Sequence, residues 1–356
     1  MEPFESFGFS PFFAAQVDPQ RDAGLLPARI IEDLGVAWRA WVADGTERQV
    51  RTPGRLRRQD TEQGTRPVVG DFVLVRLDHH GKSATVQRLL TRRTRLARRA
   101  AGERMAEQLL AANIDVCFLA QSLNRDLNPR RLERYLVLSR EGGVEPVVLL
   151  TKADLCPDVA PVLVEVARVT GDAPVLVTSS RAPGGLDALL PWLRPGTTVA
   201  VLGSSGVGKS TLINALLGEE RHRTAEIREA DDRGRHTTTT RNIVRLPNGT
   251  LVVDTPGMRE LGLWESAEAL AVVFEDVVAL AATCRFRDCD HESEPGCAVT
   301  QAAKEGRLDP ERLTSWRKLR REREHVEIEQ DLARKSVQEQ KWRSLHKELR
   351  RFYKKR

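Results

Sequence analysis

The stretch GSSGVGKS at Gly203–Ser210 constrains this 356-residue chain more than any other. It matches G-x-x-x-x-G-K-[ST] and stands between an apolar run, TTVAVL, and a helix-forming run, STLINALLG. Strand, loop and helix in that order are the context this pattern needs. The glycines let backbone N–H groups close around phosphate oxygens at the positive end of the helix. The phosphate-binding set is therefore Gly203, Ser204, Ser205, Gly206, Val207, Gly208, Lys209, Ser210 and Thr211. Lys209 is placed to reach the β and γ phosphates, which makes it a catalytic candidate, and Ser210 to ligate Mg²⁺.

The nucleotide base has its own reader, but upstream. TKAD (Thr151, Lys152, Ala153, Asp154) follows the apolar run VEPVVLL and so ends a strand. Asp154 can accept hydrogen bonds from guanine N1 and N2, which adenine cannot supply, while the Lys152 stem covers the base. One strand later, VTSSRAPGGL offers Ser179 and Ser180 as the loop that supports guanine O6. Downstream of the phosphate loop, GRHTTTTR is a switch I candidate, in which Thr238 or Thr239 closes over Mg²⁺. DTPG then ends another strand 45 residues after Lys209, giving Asp254 as a second Mg²⁺ anchor and the Gly257 N–H for the γ-phosphate. Base reader, support loop, phosphate loop, switch I, switch II is a rotated GTPase order. Adjacent domain termini make such a circular permutation physically cheap.

Around that core the texture changes twice. Residues 1–35 read as a flexible arm with an aromatic cluster. Over 36–105, short alternating strands (VAWRAWVA, DFVLVRL, SATVQRLL), a turn at Asp44–Gly45 and interleaved arginines read as an OB-like RNA-binding barrel. The permuted GTPase spans 106–265, and a zinc-binding, basic helical domain spans 266–356. The fold class is thus multidomain α/β. In the last of these, CRFRDCDHESEPGC gathers Cys284, Cys289, His291 and Cys297 within fourteen residues, a donor set for one structural Zn²⁺. Five cysteines, three of them in this segment, fit a metal site in a reducing compartment better than a disulfide framework. Cys117 and Cys156, in or beside apolar strands, read as core thiols.

These motifs resemble a known family, the circularly permuted, ribosome small-subunit-dependent GTPase A (RsgA/YjeQ). PVVGDFV at 67–73 is similar to its barrel segment, GRHTTT to its switch I, and DTPGMREL to its switch II. The resemblance implies a GTPase that assists late maturation of the small ribosomal subunit and is stimulated by it. Two positions depart from the pattern, Thr151 in place of the usual Asn and Phe72 after Gly-Asp. Met258 follows DTPG, where Ras-like enzymes carry a water-orienting Gln, so catalysis must draw on another group. His236 is the candidate, with Arg235 as a competing internal arginine finger.

Charge indicates the partner. Residues 317–356 hold 15 Lys and Arg against 7 Asp and Glu, a net +8 where the whole chain carries +6. ELRRFYKKR adds Phe352 and Tyr353 to a basic cluster, which suits phosphate contact plus stacking on unpaired rRNA bases. The expected partners are GTP/GDP and the small ribosomal subunit with its rRNA. No secretory signal or transmembrane run is evident, so a cytoplasmic monomer without membrane contact is expected. Two rival functions fit the same motifs: another RNA-linked translation GTPase, and a nucleotide-gated RNA-binding module with incidental hydrolysis.

Overall fold

Alternating side chains and a tight turn are enough to start the amino-terminal barrel. In Trp38–Val42 (β2), Trp38, Ala40 and Val42 point inward, and Asp44–Gly45 reverses the chain into Glu47–Arg51 (β3). Gly45 takes φ +86, and Asp44 Oδ1 accepts from the Thr46 N–H and hydroxyl, which fixes the turn. With Leu26–Asp33 (β1), Phe72–Leu77 (β4) and Ser83–Leu89 (β5), these strands run in the order β1-β2-β3-β5-β4, and β4 pairs back to β1. The five-stranded barrel is therefore closed, with no free sheet edge. The computed structural model describes residues 4–53, 66–99, 107–123, 127–218, 241–254, 267–325 and 328.

The flexible arm expected over 1–35 is corrected. β1 lies within it, and ahead of β1 Phe4, Phe9 and Phe13 pack with Phe72, Leu74 and Leu90. Phe13 and Phe72 have ring centroids 4.3 Å apart, and Phe13 is fully buried. Burying one such ring contributes roughly 1.5–3 kcal/mol, enough with its neighbours to hold a short segment. Phe72, the departure noted in the barrel motif, is the platform for this cluster. Gly70 before it has φ +94, and a Cβ there would sit 1.9 Å from the Ala112 carbonyl oxygen, so only glycine fits. Asp71 is buried, accepting from the Val68 N–H and from two nitrogens of Arg92 at 2.7 Å. Burial pushes its carboxyl up, against the pull of Arg92.

A second sheet region continues from the barrel. Val116–Ser122 (β8), Glu145–Thr151 (β9), Val175–Val177 (β10), Thr198–Gly203 (β11) and Leu251–Asp254 (β13) are parallel, in the order β10-β9-β8-β11-β13. Their buried, β-branched runs need cover on both faces, which includes helices Pro129–Glu141 (α1) and Ala160–Thr170 (α2). Asn242–Arg245 (β12) pairs antiparallel with β13 and meets β1 at Glu32↔Asn242, joining barrel and parallel sheet into one eleven-stranded run. Arg95–Arg99 (β6) and Glu107–Ala112 (β7) make a separate two-stranded sheet.

Arg29 on β1 stitches the same junction. It is fully buried and donates to the Phe7 carbonyl (2.5 Å), the Asn113 carbonyl (3.2 Å) and Thr198 Oγ1 on β11 (2.8 Å). Desolvation lowers its guanidinium to about 10, with Asp115 working the other way, so it stays charged at neutral pH. Residues 1–98 and 107–262 form one compact unit, and 99–106 with 263–356 form the other. The described part of the second unit contains Ala267–Val273 (α3), Glu275–Ala281 (α4), Ala298–Lys304 (α5) and a helix over 310–325.

Candidate functional site: a nucleotide edge and a metal knuckle

Parallel strands all end at one edge of a sheet, and the chain direction determines where a crevice opens. From β8 the chain builds outward to β9 and β10, then returns to β11 on the other side of β8. Loops leaving β8 and β11 diverge there, at the topological switch point where α/β sheets take ligands. The phosphate loop leaves β11 at this point and feeds helix Lys209–Leu217, whose N-cap is Gly208. Gly206 and Gly208 have φ +76 and +102, conformations that the loop needs and glycine supplies. Lys209 Nζ donates to the carbonyls of Gly203 (2.7 Å) and Ser204 (2.6 Å), which brings its charge back over the loop. Ser204, Ser210 and Thr211 are half-buried, Ser205 is exposed and Val207 is buried.

TKAD leaves the end of β9 and meets that loop directly. Lys152, with φ +60, donates from Nζ to the Gly206 carbonyl (2.7 Å), so its stem lies alongside the phosphate loop. Thr151 Oγ1 lies 2.7 Å from the Val207 carbonyl and 3.3 Å from that of Gln121. The hydroxyl has one proton, so the shorter contact to Val207 dominates. Thr151 thus ties two loops together with one donor. Asp154 is exposed, and its Oδ1 accepts from Ser179 Oγ at 2.6 Å. Ser179 Oγ in turn accepts from the N–H groups of Arg181 and Ala182, and its own N–H bonds the Gly185 carbonyl. A Cβ at Gly185 would meet the Ser179 carbonyl at 2.2 Å, so the second Gly of the support loop is a packing requirement. Ala153 N–H donates to Thr178 O, locking the two loops in register. Ser180 is half-buried beside Ser179.

Asp254 ends β13, opposite Asn242 and one strand from β11, at the same edge as the phosphate loop. Gly257, Arg235, His236, Thr238 and Thr239 lie outside the described residues. Gln121 was not singled out by sequence reasoning. It is buried at the end of β8, its carbonyl faces Thr151, and its Oε1 accepts from the Asn128 N–H. Only the apolar run around it marked the position. Cys117 is a buried thiol raised to about 12 by desolvation, as a core thiol should be. Cys156 is not core: it is half-buried in the loop after TKAD, with Sγ 3.2 Å from the Asp158 carbonyl.

The second unit holds the other cluster. Cys284, Cys289, His291 and Cys297 bring their ligand atoms within 4.8 Å of one another. A tetrahedral zinc with Zn–S about 2.3 Å and Zn–N about 2.0–2.1 Å requires S···S about 3.8 Å and S···N about 3.5 Å. The observed separations are 3.9 Å for Cys284–Cys297, and 3.4 and 3.6 Å from His291 Nδ1 to those two sulfurs. The donor set suits structural zinc. Burial pushes the Cys289 thiol up to about 12; at Cys297 burial also pushes up, but hydrogen bonds from Thr300, His291 and Cys289 outweigh it and bring that thiol down to about 6. A dication would let all of these thiols ionise together. Trp316 of the 310–325 helix packs on His291 with ring centroids 5.5 Å apart, and Arg317 donates to the His291 carbonyl. Metal analysis of the purified chain is expected to find one zinc per molecule. A folded chain with none would contradict the site.

Comparison with known proteins agrees with this geometry. The family model described as RsgA GTPase matches residues 89–264. A model for the ABC transporter family matches residues 190–349, a span that takes in the phosphate loop common to both kinds of nucleotide-binding protein. A protein of Opitutus terrae named small ribosomal subunit biogenesis GTPase RsgA is 44% identical over 350 residues, 96% of this chain and 95% of its own length. A protein of the same name from Methanosarcina acetivorans is 46% identical over 291 residues, 82% of this chain and 79% of its own length. Among solved structures, YjeQ from Thermotoga maritima superposes with TM-score 0.62 at 24% identity, covering 84% of this chain and 98% of that one. YloQ, described as a circularly permuted GTPase, gives TM-score 0.59 at 24% identity, covering 87% and 98%. These two establish the shared fold, and the relatives' identity over nearly the full length goes further: the chain belongs to the RsgA GTPase family.

Proposed function

We propose that the chain hydrolyses GTP to GDP and phosphate, is stimulated by the small ribosomal subunit, and assists that subunit's late maturation. The observation that carries the nucleotide half is the pair of hydrogen bonds from TKAD into the phosphate loop, Lys152 Nζ to Gly206 O and Thr151 Oγ1 to Val207 O. They join TKAD to the Gly203–Ser210 loop at one sheet edge, although the sequence separates them by half a hundred residues, and this supports reading the two as base reader and phosphate cradle. The ribosomal half rests on the relatives, which are named for small-subunit biogenesis.

In this reading residues 203–211 hold the phosphates, Thr151 through Asp154 with Ser179 and Ser180 hold guanine, and Gly257 meets the γ-phosphate. Ser210, Asp254 and one of Thr238 and Thr239 would hold Mg²⁺, which neutralises charge on the phosphate oxygens when bound. His236 positions water, with Arg235 as its competitor. The barrel and the basic carboxyl-terminal helices contact rRNA, and divisions at about 106 and 266 separate barrel, GTPase and zinc domain. The chain works as a cytoplasmic monomer away from membranes. Among the described residues no helix is long and apolar enough to cross one.

Base choice tests the guanine reader. GTP should bind at least about a hundredfold more tightly than ATP, because adenine leaves Asp154 without its two donors. Ser179→Ala should weaken GTP about tenfold, since it frees the Asp154 carboxylate that Ser179 now orients. Equal affinities for GTP and ATP would remove the assignment. Subunit binding tests the rest. Switch II leads almost directly into the zinc domain in sequence, so a γ-phosphate contact there has a short covalent route to it. Binding measured by sedimentation should be tighter with a non-hydrolysable GTP analogue than with GDP. It should fall on truncation after about Ser266.

A further inference from the structure

Between the knuckle ligands Cys284 and Cys289 the chain carries Arg285, Phe286, Arg287 and Asp288, all exposed. Phe286 is 42% exposed, and the Arg285 guanidinium lies 5.4 Å from its ring centroid. A single exposed ring is ordinary on a protein surface. This one differs in what surrounds it. The loop is anchored at both ends by the metal ligands, and the Arg285 stem rests on Gly296, where an added Cβ would lie 3.5 Å from Arg285 Cβ and Cδ.

The acidic residues of the knuckle are mostly engaged elsewhere. Asp290 pairs with Arg320 at 3.5 Å and Glu292 with Arg321, both from the 310–325 helix. Glu294 accepts from the N–H groups of Asp290, Glu292 and Ser293. Arg285 and Arg287 form no ion pair among the described residues. The exposed loop between the two ligands thus carries two arginines against one acid, Asp288.

An exposed ring with one guanidinium against it and a second arginine next in sequence matches an unpaired nucleotide better than a protein surface. Stacking uses the π-face that every base presents, and guanidinia fit phosphate oxygens. Successive residues are about 3.8 Å apart, so long arginine stems can reach the phosphates on either side of one stacked base. A protein partner would instead have to offer an apolar socket between two acids. We propose that Arg285–Phe286–Arg287 is a contact for unpaired RNA, in which Phe286 stacks on one base and the arginines bind its flanking phosphates. The assignment rests on the reading that small-subunit RNA is the partner.

The test uses the full-length, zinc-loaded chain as wild type, Phe286→Leu, Phe286→Trp and the Arg285→Gln/Arg287→Gln double variant. Each is titrated with a labelled oligouridylate, with an RNA duplex of equal length, and with isolated small subunits plus a non-hydrolysable GTP analogue. Zinc content and GTP turnover without RNA should match wild type in all three variants, which establishes that the knuckle is folded. Phe286→Leu is expected to bind oligouridylate about tenfold more weakly while Phe286→Trp holds wild-type affinity, and neither should alter duplex binding. The double variant should reduce the salt slope of oligouridylate binding by about 1.4, two contacts at about 0.7 each for a single strand. Equal oligouridylate affinity for wild type and Phe286→Leu overturns the contact. Phe286-dependent oligouridylate binding without subunit binding upholds the contact and rejects the small-subunit reading instead.

Discussion

Replacing Lys209 by alanine is expected to lower GTP turnover by at least about a hundredfold, the usual cost of deleting a charge that stabilises the transition state. The lysine opens the helix after the phosphate loop, and its ammonium reaches back to the carbonyls of Gly203 and Ser204 at 2.7 and 2.6 Å. That position places a positive charge over the cradle, where a triphosphate's β and γ oxygens would draw it away from the two carbonyls. The side chain is only half-buried, so its loss should leave the melting temperature nearly unchanged. Turnover, nucleotide titration and thermal melting on the same preparation separate the effects. Wild-type turnover in a folded Lys209→Ala chain would reject the phosphate-loop role.

His236→Ala should act differently, with the second large effect. Met258 stands where a Ras-like enzyme carries glutamine, and a thioether cannot orient water. If His236 supplies that function, its removal should reduce subunit-stimulated hydrolysis by roughly a hundredfold or more. GTP affinity and analogue-dependent subunit binding should remain, because the imidazole is not needed to hold phosphate or base. Full stimulated turnover in the variant would move the role to Arg235.

Most of the site was legible because its chemistry depends on spacing that the chain displays locally. The phosphate loop, TKAD, DTPG and the Cys/His segment each announce a donor set within a few residues, and each apolar run before a loop places it at a strand end. What remained hidden depends on partners distant in sequence. β1 was lost inside a supposed arm because Arg29 breaks its apolar pattern, and nothing near Arg29 shows that Phe7, Asn113 and Thr198 will bury it. The phenylalanines were visible, but their platform is Phe72, over fifty residues on. Thr151 was visible only as a departure from the usual Asn, and nothing near it shows that its hydroxyl finds the Val207 carbonyl. The sequence also could not show that Ser179 fixes Asp154 through its own hydroxyl rather than only lining the base pocket.

The proposed coupling between nucleotide and subunit would draw on ties within the first unit. Asp33 N–H on β1 bonds the Arg241 carbonyl, and Glu32 pairs with Asn242, directly after the switch I sequence. Arg29 adds a second tie from the barrel to the strand that feeds the phosphate loop. The barrel is thus hydrogen-bonded both to the strand that follows the GRHTTTTR segment and to the strand that leads into the Gly203–Ser210 loop. Linkage then requires that bound GTP alter RNA affinity in return.

GTP turnover by the full chain, measured alone, with isolated small ribosomal subunits and with large subunits, tests the central claim most directly. The account predicts a rate at least about tenfold higher with small subunits than in the other two conditions, since the chain lacks the glutamine for fast unaided hydrolysis. The same rate in all three would contradict it.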